Sequence, residues 1–364
     1  MKKILFLASG LFLLLLLLLF AYRSERRRSA GDEEVRIGLV LTGRKDLDGW
    51  NQSHYDALRS LSGEMNFTLL CMEDVSEFDD SVLAAIDTLA GQGAKIICLA
   101  GMGYGESAAT ALDKYPDITF LNASGVEQGH NLVSFFGKMY QARYLSGLVA
   151  GLQTETGEIG YVAAMPVNEV IRGINSFAVG VRAANPKAVV RVRYTGLWDD
   201  PEKERRAAAL LLGSYAADVV TYHQNTAAAA KEADSRGRFS ITYHTANNGE
   251  LSDKCLTGAV WHWAPFYRER IEDSLYRRKQ KRFYWVGLEK GIVDLAPFSA
   301  RVPPETVAMV MAERERIKNG EWDVFRGPMY DNAGVLRIEA GSAMSDDQLI
   351  TDFDWYVDGV VVIE

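Results

Sequence analysis

The stretch Asp46-Leu-Asp-Gly-Trp-Asn-Gln-Ser-His-Tyr55 holds the residues best suited to gripping a small molecule. It follows a strand-like run, Val35–Leu41, and opens a helix-like one. Open α/β sheets place ligands at the carboxyl ends of their strands. Trp50 offers a flat apolar face there, and Asn51 offers both a donor and an acceptor. The pair suits a planar ligand with a polar edge, such as a nucleobase. The plainer alternative is a helix start with Trp50 packed in the core.

Other strand ends carry side chains of the same kind. Met102-Gly-Tyr104 follows Lys95–Ala100; Gly103 allows close backbone approach, and Tyr104 could close over a ligand or merely enter a helix. Glu169 and Arg172 follow Ile159–Ala164, where a guanidinium could donate twice to a base edge or pair with Glu169 on a helix surface. Tyr222-His223-Gln224-Asn225 and Tyr243-His244-Thr245-Ala246-Asn247 end two adjacent strands. Neutral imidazoles at these ends would hydrogen-bond a base; structural histidines are the alternative. Trp261-His-Trp263 alternates, so both indoles face one side if the segment is extended. Trp261 would then stack on the ligand opposite Trp50, with Trp263 packed between lobes. Phe135 and Phe136 fit either a core or a cleft.

The chemistry of turnover is missing from the motifs. The chain has no G-x-S-x-G elbow, no G-x-x-x-x-G-K loop and no HExxH. Cys71, Cys98 and Cys255 are far apart and read as buried free thiols. Gly101-x-Gly103-x-Gly105 invites a dinucleotide reading, but Glu106 would oppose a pyrophosphate. No catalytic residue, cofactor or metal site is expected, and the chain reads as a binding protein rather than an enzyme.

Elements that could position these side chains alternate along the chain. Short apolar runs alternate with helical periods from Val35 onward, which predicts βαβ units and parallel sheets. Predicted strands include Phe67–Met72, Thr119–Leu121, Val189–Tyr194, Asp218–Tyr222, Ser240–Tyr243, Leu256–Val260 and Val360–Ile363. Predicted helices include Ser53–Glu64, Glu106–Tyr115, Tyr140–Gln153, Pro201–Tyr215 and Arg268–Lys279. The expected fold class is α/β, with two doubly wound lobes, a hinge and a cleft between lobes. One lobe takes residues 31–157 plus about 257–283, and the other 158–256 plus about 284–364. The cleft is the expected ligand site.

Composition agrees with a two-lobed globular chain: 364 residues, 48% hydrophobic and 24% charged. Net charge is −8, and the first 30 residues carry Lys2, Lys3, Arg23, Arg26, Arg27 and Arg28 against Glu25. The rest of the chain is therefore strongly acidic, which argues against nucleic acid as a partner. Residues 1–30 read as a signal or membrane anchor, built on the apolar run Ile4–Ala21. The body is expected outside the cytoplasm, exported with that segment either cleaved as a signal or retained as an anchor, and monomeric.

Nine stretches, in order, resemble the basic membrane protein family of ABC-transporter substrate-binding proteins, of the purine-nucleoside-receptor type. They begin with Asp48-Gly-Trp-Asn51, Tyr115-Pro-Asp-Ile-Thr-Phe120, Tyr144-Leu-Ser-Gly-Leu-Val-Ala150 and Gly160-Tyr-Val-Ala-Ala-Met-Pro166. Glu169-Val-Ile-Arg-Gly-Ile-Asn175, Ala217-Asp-Val-Val220 and Val260-Trp-His-Trp263 come next. Gly291-Ile-Val-Asp-Leu-Ala-Pro297 and Val324-Phe-Arg-Gly-Pro328 complete the set. The resemblance implies a type I periplasmic-binding-protein fold that closes on a purine nucleoside or base and docks on an ABC permease. It implies that Trp50 stacks on the base and Asn51 bonds to it, with Trp50 replacing the family's usual Phe. It also implies a polar ligand contact near Asn122, where relatives often carry a carboxylate. Many relatives are lipoproteins, and this chain has no Cys after its apolar run. A sensory receptor with the same cleft is the alternative to an importer component.

Overall fold

The computed structural model describes residues 35–46, 49–246 and 251–364. The N-terminal apolar segment, Asp48 and Asn247 lie outside those residues. Two largely parallel sheets organise the rest. The first contains β1 (Val35–Leu41), β2 (Phe67–Met72), β3 (Ala94–Ala100), β4 (Thr119–Ala123) and β5 (Leu132–Gly137). The second is built on β6 (Glu158–Ala163), β7 (Val189–Tyr194), β8 (Val219–His223), β9 (Phe239–His244) and β10 (Cys255–Trp261). Late strands complete both. β11 (Phe283–Val286) joins the first sheet, and β12 (Val293–Leu295) joins the second. A small pair, β13 (Met329–Tyr330) and β14 (Leu336–Ile338), stands apart, and β15 (Val360–Ile363) closes the edge of the second sheet.

The orders are β2-β1-β3-β4-β5-β11 and β15-β7-β6-β8-β9-β10-β12. Every pair in them is parallel except β10 with β12. These are two doubly wound lobes, as expected for an α/β chain of this pattern.

Strands in such sheets are covered on both faces, so they read as unbroken apolar runs. In β1, Ile37, Leu39 and Leu41 pack with Leu58 and Leu61 of α1 (Trp50–Met65). Val40 points the other way and packs with Ile86 and Leu89 of α2 (Ser81–Gly91). The same face carries α3 (Tyr104–Ala111). On the second sheet, α4 (Met139–Gln153) and α5 (Asn168–Ala184) lie in close backbone contact. A Cβ on Gly147 would fall 2.1 Å from the Phe177 carbonyl oxygen, and one on Gly180 would fall 2.1 Å from that of Tyr144. Glycine at both positions is what lets the two helices touch. The remaining helices are α6 (Pro201–Ser214), α7 (Ala228–Ser235), α8 (Trp263–Leu275), α9 (Pro304–Lys318) and α10 (Asp346–Thr351).

Several boundaries differ from the sequence expectation. The chain passes between sheets after Gly137, after Trp261 and after Val286, rather than near 157, 257 and 283. The reason is α4, which packs on α5 and β10 of the second lobe although it precedes β6. β5 and β11 were not predicted as strands. Both are short and aromatic, and an apolar run of that length carries no period of its own. α8 begins at Trp263 rather than Arg268, so Trp261-His-Trp263 spans a strand end and a helix start. Among the described residues no helix is long and apolar enough to cross a membrane. Cys98 and Cys255 are buried free thiols, and Cys71 is half-buried and free.

Candidate ligand-binding site

The carboxyl ends of the two parallel sheets face each other across a cleft of about 480 Å³. That volume falls in the range of small-molecule sites. The first lobe contributes the loops after β1 to β4, the start of α1, and aromatic residues of β5 and β11. The second contributes the loops after β6 and β7, the ends of β8 and β9, and Ile350 of α10.

On the first lobe, Trp50 and Asn51 start α1 and both line the cleft. The Trp50 indole N–H donates to the Ala100 carbonyl at 2.8 Å, which fixes the ring, and His54, Trp261 and Trp263 meet it at steep angles. Thr42 Oγ1 donates to Asn51 Oδ1 at 3.2 Å and orients the amide. Phe136 of β5 stands 6.1 Å from Trp50, centroid to centroid, and also lines the cleft. Phe283 and Trp285 of β11 extend this aromatic wall. Glu77 accepts from the Gly103 N–H at 2.9 Å, and burial raises its pKa above the usual carboxylate value.

On the second lobe, Glu169 and Arg172 lie in the first turns of α5. They share the cleft rather than a solvent-exposed helix face. Burial pushes the Glu169 carboxyl up to about 7, against the pull of Arg172 and Arg143. Arg172 Nη1 donates to the Leu349 carbonyl at 2.6 Å, and its guanidinium sits 5.3 Å from the Trp285 ring. His223 ends β8, with Nε2 3.2 Å from the Tyr243 hydroxyl and 3.6 Å from Glu169 Oε1. His244 ends β9 and receives the Trp261 indole N–H on Nδ1 at 3.1 Å. Burial, reinforced by the charge of nearby Arg143, holds both histidines well below their usual pKa and therefore neutral. Asn225 lines the cleft just beyond β8.

Trp50, Asn51, Glu169, Arg172, His223, Asn225 and His244 thus come together around one cavity. The other three sequence candidates do not line it. Tyr104 is fully buried, its hydroxyl donating to the Val75 carbonyl at 2.6 Å. It is the first residue of α3, so its side chain turns back into the sheet instead of over the cleft. Asn122 is also fully buried and donates to the Gly101 and Leu99 carbonyls, which braces the loop after β3 from below. Trp261 stacks on Trp263 at 4.6 Å with planes 16° apart, because the turn from β10 into α8 folds one indole onto the other. Its indole N–H donates to His244, and it does not line the cleft.

Sequence reading also missed residues that shape the site. Trp198, Asp199, Phe283 and Trp285 line the cleft from loops and a short strand that carry no motif. Arg143 lies behind the wall, fully buried on α4. Its Nη2 donates to the Tyr222 carbonyl at 2.8 Å, and its guanidinium covers the Tyr243 ring at 3.7 Å. A single Arg within the otherwise uncharged run Met139–Gln153 was the available signal. Among the described residues no cluster of His, Cys, Asp and Glu could hold a metal ion.

Comparison with known proteins agrees with this architecture. The family described as ABC transporter substrate-binding protein, PnrA-like, matches residues 34–325. A purine-binding protein of Brucella abortus (strain 2308) is 30% identical over 333 residues, covering 90% of this chain and 93% of its own. A Haloferax volcanii protein, provisionally named an ABC-transporter glucose-binding protein, is 29% identical over 319 residues, covering 86% and 76%. The solved structure of an ABC-transporter solute-binding protein from Conexibacter woesei superposes with a TM-score of 0.67 at 21% identity, over 79% of this chain and 98% of the other. The structural likeness speaks for the fold, and the family match covers most of the chain. The chain belongs to the PnrA-like family of extracytoplasmic ABC-transporter substrate-binding proteins.

Proposed function

We propose that the protein captures a purine base or nucleoside in the cleft and delivers it to the permease of an ABC importer. One observation carries the reading. Two aromatic rings, Trp50 and Phe136, their planes 53° apart, line the cleft together with neutral, directional hydrogen-bonding groups, His223 and His244, and with Asn51 beside the indole. A purine is a flat ring with donors and acceptors around its edge, and it uses both kinds of group at once. The similarity to a purine-binding protein supports the same class.

Titration calorimetry with adenine, hypoxanthine, guanosine, inosine and glucose tests the proposal. Binding of purines and not of glucose is the expected result. Glucose binding without purine binding overturns it. Base stacking on an aromatic ring contributes roughly 1–3 kcal/mol. Trp50→Ala is therefore expected to weaken purine binding at least about tenfold. Unchanged affinity in that variant removes Trp50 from the ligand contacts.

A further inference from the structure

The second-lobe wall holds a hydrogen-bond donor whose polarity is set before any ligand arrives. His244 closes β9 with a backbone φ of 76°, the left-handed region that side-chain-bearing residues adopt at a cost. The surroundings hold that conformation in place. The Tyr243 ring lies 3.7 Å from the imidazole, and Trp50 approaches it edge-on at 6.4 Å across the cleft. The Trp261 indole N–H reaches Nδ1 at 3.1 Å. An indole nitrogen can only donate, so Nδ1 must accept and carries no proton. The ring is neutral, being buried beside His223 and Arg143. Its one proton is then on Nε2. That nitrogen is buried, and the nearby Gln224 backbone carbonyl favours a ring N–H without meeting it in good hydrogen-bond geometry. His244 lines the cleft.

We infer that His244 is a specificity-determining donor: its Nε2–H meets an acceptor on the ligand, a ring nitrogen or carbonyl oxygen, and disfavours a ligand that presents N–H there. Trp261 acts through His244 as a positioning residue. The inference rests on the purine reading for the identity of the ligand, but not for the polarity of the donor. A ligand that leaves Nε2–H without an acceptor keeps a polar group buried and unpaired, which weakens binding by at least about tenfold.

Two measurements on the full-length chain in mild detergent test it. The sequence has five histidines, so nitrogen-15 histidine labelling gives a spectrum that His244→Gln assigns. The ligand-free protein is expected to show His244 protonated on Nε2 and bare on Nδ1. A proton on Nδ1, or an even mixture of tautomers, overturns the inference. In Trp261→Phe the donor is gone, and the ring is expected to populate both tautomers. The second measurement compares adenine with its 1-deaza, 3-deaza and 7-deaza analogues, each of which exchanges one ring acceptor for C–H. One analogue is expected to bind at least about tenfold more weakly than adenine. His244→Phe is expected to erase that difference, and Trp261→Phe to shrink it should the first variant fail to fold. Three analogues that bind like adenine overturn the inference while leaving the purine reading intact. If no purine binds, the purine reading falls, and the tautomer of the free protein decides the donor.

Discussion

Single buried carboxyls set how the empty protein responds to pH. Glu169 is raised from 4.5 to about 7 because burial strips water from its carboxyl, against the pull of Arg172 and Arg143. Glu204, on α6 and fully buried, is raised to about 7 for the same reason, although Thr226 donates to it at 2.6 Å. A carboxyl whose folded pKa lies above its unfolded value holds a proton in the native state that the unfolded chain has released. Between 4.5 and about 7 the native state therefore binds more protons, and stability falls as pH rises through that window. The melting temperature of the ligand-free protein is expected to drop as pH rises from about 5 to about 8. Glu204→Gln, which keeps an acceptor for Thr226 without a charge, should flatten that slope. A melting temperature that rises over the window, or a Glu204→Gln slope equal to wild type, contradicts the argument. At this scale the sequence was informative about type and not about surroundings. The strand-end histidines and Glu169 stand out in it, but their neutrality comes from burial in the assembled fold, to which Arg143 of another element adds for the histidines and which it opposes for Glu169.

Elements are held together by side chains that replace missing backbone partners. Asn175 is fully buried on α5 and clips the C-terminal segment. Its Nδ2 donates to the Trp355 carbonyl at 2.8 Å, and its Oδ1 accepts from the Val357 N–H at 3.0 Å. Asn168 Nδ2 and Arg172 Nη1 make similar bonds to the Thr351 and Leu349 carbonyls, at 2.8 and 2.6 Å. Through them α5 anchors α10, and with it Ile350 at the rim of the cleft. Asn175→Ala leaves two buried backbone groups without partners, a loss of roughly 1–3 kcal/mol for each group. Urea unfolding is expected to show destabilisation in that range or above, and a midpoint unchanged from wild type counts against the clip. The strands and helices themselves were largely legible. Val35–Leu41, Phe67–Met72, Val189–Tyr194 and Val360–Ile363 match their predicted limits, because buried parallel strands are uninterrupted apolar runs between turn residues. β5, β11 and the segment after α9 were not, because their partners lie far away in sequence. Phe283–Val286 becomes a strand only because β5 leaves an edge open beside it.

At the scale of the molecule two lobes meet, and one position shows how closely. Gly49 precedes α1 on the first lobe, and Asn225 follows β8 on the second. A Cβ on Gly49 would lie 2.1 Å from the Asn225 carbonyl oxygen. Its φ of 168° is extended backbone that any residue adopts, so only space excludes a side chain. Asn225 lines the cleft, and Gly49 immediately precedes Trp50, which also lines it. Gly49→Ala must therefore part the lobes at this point or shift one loop. A ligand that touches both walls stabilises the arrangement in which they meet, and its affinity falls when that arrangement is disfavoured. Gly49→Ala is expected to weaken ligand binding by at least about tenfold, an energy of about 1.4 kcal/mol. It should leave each lobe folded, because Gly49 lies outside both cores. Solution scattering of the liganded variant is expected to give a larger radius of gyration than liganded wild type. A variant that matches wild type in both affinity and radius would show that contact between Gly49 and Asn225 plays no part in closure. The motif Gly-Trp-Asn was visible in the sequence as a ligand loop. That its glycine also makes room for the opposite lobe was not, because Asn225 is brought beside it only when both sheets are assembled.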